Sequence, residues 1–241
     1  MKHSPSFLRG VEILDSMPTE YCFFNIYPMT FHKNVTLLIG ENGIGKSTLL
    51  ESLAVKLGCP AEGGSRNFKY KTEDTHFEAT EHLRLIKTGK RFSDLFFYRS
   101  ETYYNFMTEM RKLDEDPEGG EKINTFYGGK DLHLLSHGQS MKALYQNRFK
   151  EDGLYFMDEP EASLSAESQI DLISKIYELS LKGAQFIIAT HSPILMAIPN
   201  AEIIEIGPRF HRRVAYKDTR AYYFYKKILD SDTDSIESLI S

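Results

Sequence analysis

Gly40-Glu-Asn-Gly-Ile-Gly45-Lys46-Ser47 spaces its residues as G-x-x-x-x-G-K-S, the pattern of a loop that cradles phosphate. The glycines let the backbone curl until successive N–H groups point inward at one anion. Lys46 brings an ammonium to the β- and γ-phosphates, the Ser47 hydroxyl is placed for Mg²⁺, and Thr48 reaches a further phosphate oxygen. Gly40, Asn42, Gly43, Gly45, Lys46, Ser47 and Thr48 are thus the expected nucleotide contacts. Far downstream, the apolar run Leu154-Tyr-Phe-Met157 ends in Asp158-Glu159-Pro160. Adjacent residues of a strand point opposite ways, so the two carboxylates divide the work. Asp158 holds Mg²⁺; Glu159 faces the attacking water and polarises it. Phosphoryl transfer asks for little beyond such positioning and charge neutralisation. His191, in Ala189-Thr-His-Ser-Pro193, closes the next apolar run and is expected to touch the γ-phosphate or hold the water.

These residues need a scaffold that brings residue 46 to residues 158 and 191. Val35–Ile39, Leu154–Met157, Gln185–Ala189 and Glu202–Ile206 read as short buried strands. Leu50, Leu53, Ala54 and Leu57 recur at helical spacing after the loop, and Gly58 with Pro60 stops that helix. Ile170, Ile173, Ile176 and Tyr177 mark the apolar face of another helix. Strand, helix, strand in alternation predicts an α/β fold with a mostly parallel sheet flanked by helices. The 241 residues read as a single domain: a sheet core over about 1–100 and 151–241, with an inserted helical subdomain over about 101–150.

Composition narrows the class. A net charge of −5 excludes a protein that coats nucleic acid by overall charge. Cys22 and Cys59 make no disulfide framework or zinc pattern, and reduced thiols suit a cytoplasmic protein. The first residues have no signal-peptide pattern, and no stretch approaches the ~20 apolar residues of a membrane span.

Leu135-Ser136-His137-Gly138-Gln139-Ser140 precedes the helical run Met141, Leu144, Tyr145 and Arg148, and Ser136 with Gln139 fits a capping box. With this element between the phosphate loop and the acidic strand, the chain resembles the ATP-binding-cassette (ABC) ATPases, whose signature is L-S-G-G-Q. Phosphate loop, signature, Asp158-Glu159-Pro160 and His191 occur in family order. Gly63–Phe68, Phe96–Glu101, Asn147–Phe149 and Ile187–Ile194 resemble a subgroup of small stand-alone bacterial cassettes grouped loosely with AAA-family ATPases and related to repair and chromosome-maintenance cassettes. The resemblance implies ATP hydrolysis with Mg²⁺ in a head-to-tail homodimer. There, Ser136, Gly138 and Gln139 of one chain face the γ-phosphate held by Lys46 of the other.

Departures from the family pattern are specific. His137 replaces the first signature glycine, and Ser165 stands where the family's D-loop has aspartate. Gln139 is the first glutamine of the chain, so the Q-loop glutamine is missing and Glu101 is the candidate stand-in on Mg²⁺, unless it is simply a surface acid that starts a helix. Tyr21 is a weak candidate for adenine stacking. Residues 209–227 carry Arg209, Arg212, Arg213, Lys217, Arg220, Lys226 and Lys227 against Asp218 alone. That stretch reads as a solvated face, with a nucleic-acid or protein partner as the alternative. Tyr222, Tyr223, Phe224 and Tyr225 read as core packing, with a docking surface as the alternative. Three functions stay open: an ATPase switch in DNA maintenance or phage defence, the ATPase subunit of a transporter, and a non-hydrolysing ATP-dependent clamp.

Overall fold

A computed structural model describes residues 5–14, 28–65, 80–115, 125, 128–129 and 135–230. Tyr21, Cys22 and the acidic residues 231–241 lie outside the described residues. In chain order the elements are β1 (Leu8–Ile13), β2 (Met29–Thr30), β3 (Val35–Ile39), α1 (Lys46–Lys56), β4 (Leu83–Lys87), β5 (Asp94–Arg99), α2 (Tyr103–Glu115) and α3 (His137–Asn147). Then follow β6 (Gly153–Asp158), α4 (Ala166–Leu181), β7 (Gln185–Ala189), β8 (Glu202–Gly207), β9 (Phe210–Val214) and α5 (Arg220–Leu229).

The central sheet has the order β5-β6-β7-β3-β8-β9 and is parallel except for the β8–β9 hairpin. The mostly parallel sheet with flanking helices is the fold the apolar runs predict, and the ends of the four expected strands coincide with the observed ones or lie one residue short. Strands buried on both faces are continuously apolar, and alternate residues feed two layers. In β6, Tyr155 and Met157 join the layer built with α2, α3 and α4, whereas Leu154 and Phe156 join the layer of α1 and the small sheet. That small sheet is antiparallel, in the order β2-β1-β4. One side chain stitches the two sheets together: the Gln185 amide accepts from the Phe7 and Leu8 N–H groups at 2.9 and 2.8 Å and donates to the Leu8 carbonyl at 2.7 Å.

Two expectations fail. Ile170 is 54% exposed, because the buried stripe of α4 runs through Gln169, Leu172, Ile173, Ile176, Leu179 and Ser180 and leaves Ile170 beyond its edge. The aromatic run at 222–225 is not core: α5 buries none of its residues, and Tyr223 and Tyr225 are more than half exposed. A run of four aromatics covers all sides of a helix, so a helix on the rim leaves some in water.

Candidate functional site

The phosphate loop leaves β3 and turns into α1 on glycine. Gly40 lies so close to β8 that a Cβ there would sit 2.4 Å from the Ile206 carbonyl oxygen. Gly45 has φ +98° and caps α1 without any side-chain hydrogen bond to the first turn. The first-turn N–H groups are therefore left without a side-chain cap, the arrangement that binds anions. Lys46 folds back over the loop and donates to the Gly40 and Glu41 carbonyls at 3.0 and 2.9 Å. Burial lowers its pKa, while the carboxylates of Glu159, Asp158 and Glu161 act the other way. The residue is 5% exposed.

Parallel pairing of β6 with β7, and of β7 with β3, brings Asp158 over the start of α1. Ser47 Oγ donates to Asp158 Oδ1 at 3.0 Å. Burial pushes the Asp158 carboxyl up to about 6, against the lowering effects of the Ser47 hydrogen bond and Arg99. Arg99 ends β5 in register with Asp158. Its guanidinium bonds Glu51 at 2.8 Å and the Ala61 carbonyl at 3.1 Å, and lies 3.9 Å from Asp158 Oδ2. Glu101 reaches the same guanidinium at 3.6 Å, with a side chain that is 77% exposed.

Beyond Asp158 the strand stops at Glu159, whose φ of +48° turns the chain into the short Pro160–Ser163 helical turn. Glu159 Oε1 lies 3.8 Å from His191 Nε2, and both side chains are about two-fifths exposed. Glu161 shapes the turn that carries His191: its Oε1 accepts from Thr190 Oγ1 at 2.8 Å and from the His191 and Ser192 N–H groups at 2.7 and 3.1 Å. Lys46, Ser47, Asp158, Glu159 and His191 thus gather at the C-terminal edge of the sheet, where such folds bind ligands.

Ser136, Gly138 and Gln139 form a second cluster. Gln139 N–H donates to Ser136 Oγ at 3.3 Å and Gln139 Oε1 accepts from Ser136 N–H at 3.0 Å, so the capping box is closed both ways. A Cβ on Gly138 would lie 3.0 Å from the Ser163 carbonyl oxygen, so this glycine lets the helix sit against the turn that follows Glu159. His137 stacks on Tyr103 at 5.4 Å, and burial lowers its pKa. The large side chain that departs from the signature is thus packed inward on α2. Ser165 caps α4 by accepting from Ser168 N–H.

Arg99, Glu51 and Glu161 were not singled out by sequence reasoning. Only Arg99 left a signal, as a charge ending the apolar run Leu95–Tyr98. Three of the seven cations in the basic stretch are paired in place: Arg212 with Glu205, Arg213 with Glu202 and Arg220 with Glu41. Arg220 also helps line a cavity of about 440 Å³ with Glu41, Ile44, His191, Phe210 and Phe224. Among the described residues, no helix is long and apolar enough to cross a membrane.

Comparison with known proteins agrees with this geometry. The AAA ATPase domain family matches residues 65–196, more than half of the chain. A probable siderophore transport system ATP-binding protein, YusV of Bacillus subtilis (strain 168), is 29% identical over 209 residues, covering 78% of this chain and 69% of its own. A putative ABC transporter ATP-binding protein of Caldanaerobacter subterraneus subsp. tengcongensis is 31% identical over 170 residues, 66% of this chain and 70% of its own. Among solved structures, cbiO1 of Clostridium perfringens, part of the ABC transporter complex cbiONQ, superposes with a TM-score of 0.54 at 17% identity over 98% of this chain and 99% of that one. An Smc head bound to the C-winged helix domain of ScpA superposes with a TM-score of 0.50 at 16% identity over 87% and 98%. Those two likenesses concern the fold. The family match, the relatives and the shared fold together make the chain an ABC-type ATPase of the AAA ATPase domain family.

Proposed function

We propose that this chain is a nucleotide-gated switch that hydrolyses ATP in a sandwich homodimer, acting in the cytoplasm on a nucleic acid or protein partner. The observation that carries the reading is the convergence of the uncapped α1 terminus, the Ser47–Asp158 pair and the Glu159–His191 pair on one edge of the sheet. Entering phosphate takes the place of the Gly40 and Glu41 carbonyls as the partner of Lys46. The donor set suits Mg²⁺: a hydroxyl and a carboxylate, both hard oxygens, already meet at 3.0 Å. Among the described residues no group of three or more His, Cys, Asp or Glu side chains could hold a metal ion, so the remaining ligands fall to phosphate oxygens and water. Bound with ATP, Mg²⁺ supplies neutralisation of the developing phosphate charge. Glu159 takes the proton of the attacking water, and His191, held by Glu161, orients that water or the γ-phosphate. Ser136, Gly138 and Gln139 serve the γ-phosphate of the second chain.

A second reading, the ATPase subunit of a transporter, draws on the names of the relatives in transport systems. Glu101 in place of the Q-loop glutamine weighs against it, since transporter cassettes couple to membrane partners through that loop. Turnover decides between enzyme and clamp. The purified chain should release phosphate from Mg·ATP, and Lys46→Ala should remove both ATP binding and turnover. A wild-type chain that binds ATP without hydrolysing it leaves only the clamp.

A further inference from the structure

Arg99 occupies a position that the proposed reaction leaves unexplained. It is a cation on the strand beside Asp158, in register with it, and its side chain is 18% exposed. Ser47 and Glu51 are four residues apart on α1 and so share one helix face. Ser47 holds one oxygen of Asp158, and Glu51 holds the guanidinium whose Nε faces the other oxygen. The result is a ring of four side chains, Ser47–Asp158–Arg99–Glu51, with α1 at two corners and one gap, between Arg99 and Asp158. Inside that ring the Arg99 Nε is buried and has no hydrogen-bond partner, 3.9 Å from Asp158 Oδ2. The fork is anchored at its other end by Glu51 and the Ala61 carbonyl, so a small turn of the carboxylate, rather than a movement of the arginine, closes this gap.

We propose that Arg99 is a positioning residue for the magnesium site. It grips Asp158 Oδ2 and so keeps Oδ1, the oxygen on Ser47, turned toward the nucleotide. The proposal rests on the ATPase reading above. Glu101, within 3.6 Å of the same guanidinium, links the Q-loop position to this grip through Arg99.

The test measures binding of a fluorescent ATP analogue to the full chain, with EDTA and across a Mg²⁺ titration, alongside thermal melting without nucleotide. Arg99→Met should raise the Mg²⁺ concentration needed for half-maximal binding by about 10- to 100-fold, the usual effect of losing a partner that orients a metal ligand. Binding in EDTA should be unchanged. Arg99→Lys keeps the charge but loses the fork, and should fall between the two. Glu51→Gln, which loosens the anchor, should shift the Mg²⁺ dependence the same way. An unchanged Mg²⁺ dependence in Arg99→Met overturns the proposal, as does an equal loss of binding with and without metal. If Arg99→Met does not fold, a wild-type Mg²⁺ dependence in Arg99→Lys overturns it. If the wild-type chain binds no nucleotide under any condition, the ATPase reading itself has failed.

Discussion

Asp158 shows what burial does to a group that must be charged to work. Its carboxyl titrates at about 6, above the ordinary 3.8, chiefly because it is buried. A carboxyl raised on folding stabilises the fold fully below the unfolded value, and that contribution is lost as pH rises through the folded value. Above pH 6 the metal-free chain carries an ionised, poorly solvated carboxylate, a burden on the order of 3 kcal/mol. Asp158→Asn should therefore raise the melting temperature of the metal-free chain at pH 7.5 by several degrees, and the gain should shrink toward pH 5. Calorimetry across that range checks the sign; a variant less stable than wild type at pH 7.5 refutes it. Most of the site was legible at this scale, because Lys46, Ser47, Asp158 and His191 stand in recognisable local strings. Arg99 and Glu161 were not legible. Their partners are 59 and 30 positions away in Asp158 and His191, and only strand register and a turn geometry bring them close.

The α3 terminus joins local stability to the proposed chemistry. Its capping box satisfies two N-terminal groups that would otherwise need water. Ser136→Ala should cost about 1 kcal/mol, lowering the melting temperature by ~2–4 °C for a chain of this size. ATP binding by the single chain should remain as in wild type, and ATP-driven dimerisation should be lost. A variant that melts lower but dimerises normally confines Ser136 to capping. β3, β6, β7, β8 and α1 could be read from apolar runs and spacing, because the central sheet buries them; the small sheet of β1, β2 and β4 could not. The position of α5 could not. Its aromatics suit a core by composition, and only the layering of the other helices decides that this one lies on the rim.

A single chain holds both halves of the proposed site but keeps them in separate clusters: Ser47 with Asp158, beside Glu159 and His191, and Ser136 with Gln139. In the proposed switch one cluster is completed by the other from a second copy, and a two-fold pair is the smallest closed solution. Glu159→Gln should stall the proton transfer and trap that pair, visible by light scattering as a doubling of the 27.7 kDa mass in saturating Mg·ATP. A monomeric variant under those conditions rejects the sandwich. The net charge of −5 is also better understood at this scale. Glu205, Glu202 and Glu41 answer three of the seven cations in the basic stretch, which halves its apparent excess of six over Asp218.

The strand order carries a consequence for how the molecule is made. β3, which presents the phosphate loop, has β7 and β8 as its two neighbours, and these are residues 185–189 and 202–207. β1 is tied down by the amide of Gln185. During synthesis the loop at residues 40–47 therefore waits, without either strand that flanks β3, until residues 185–207 have left the ribosome. Pairings this distant in sequence are slow to close and leave apolar edges open meanwhile. A nascent fragment ending before residue 185 contains the whole phosphate-binding string but neither of the strands that flank β3, so nucleotide capture should begin only once residues 185–207 have left the ribosome.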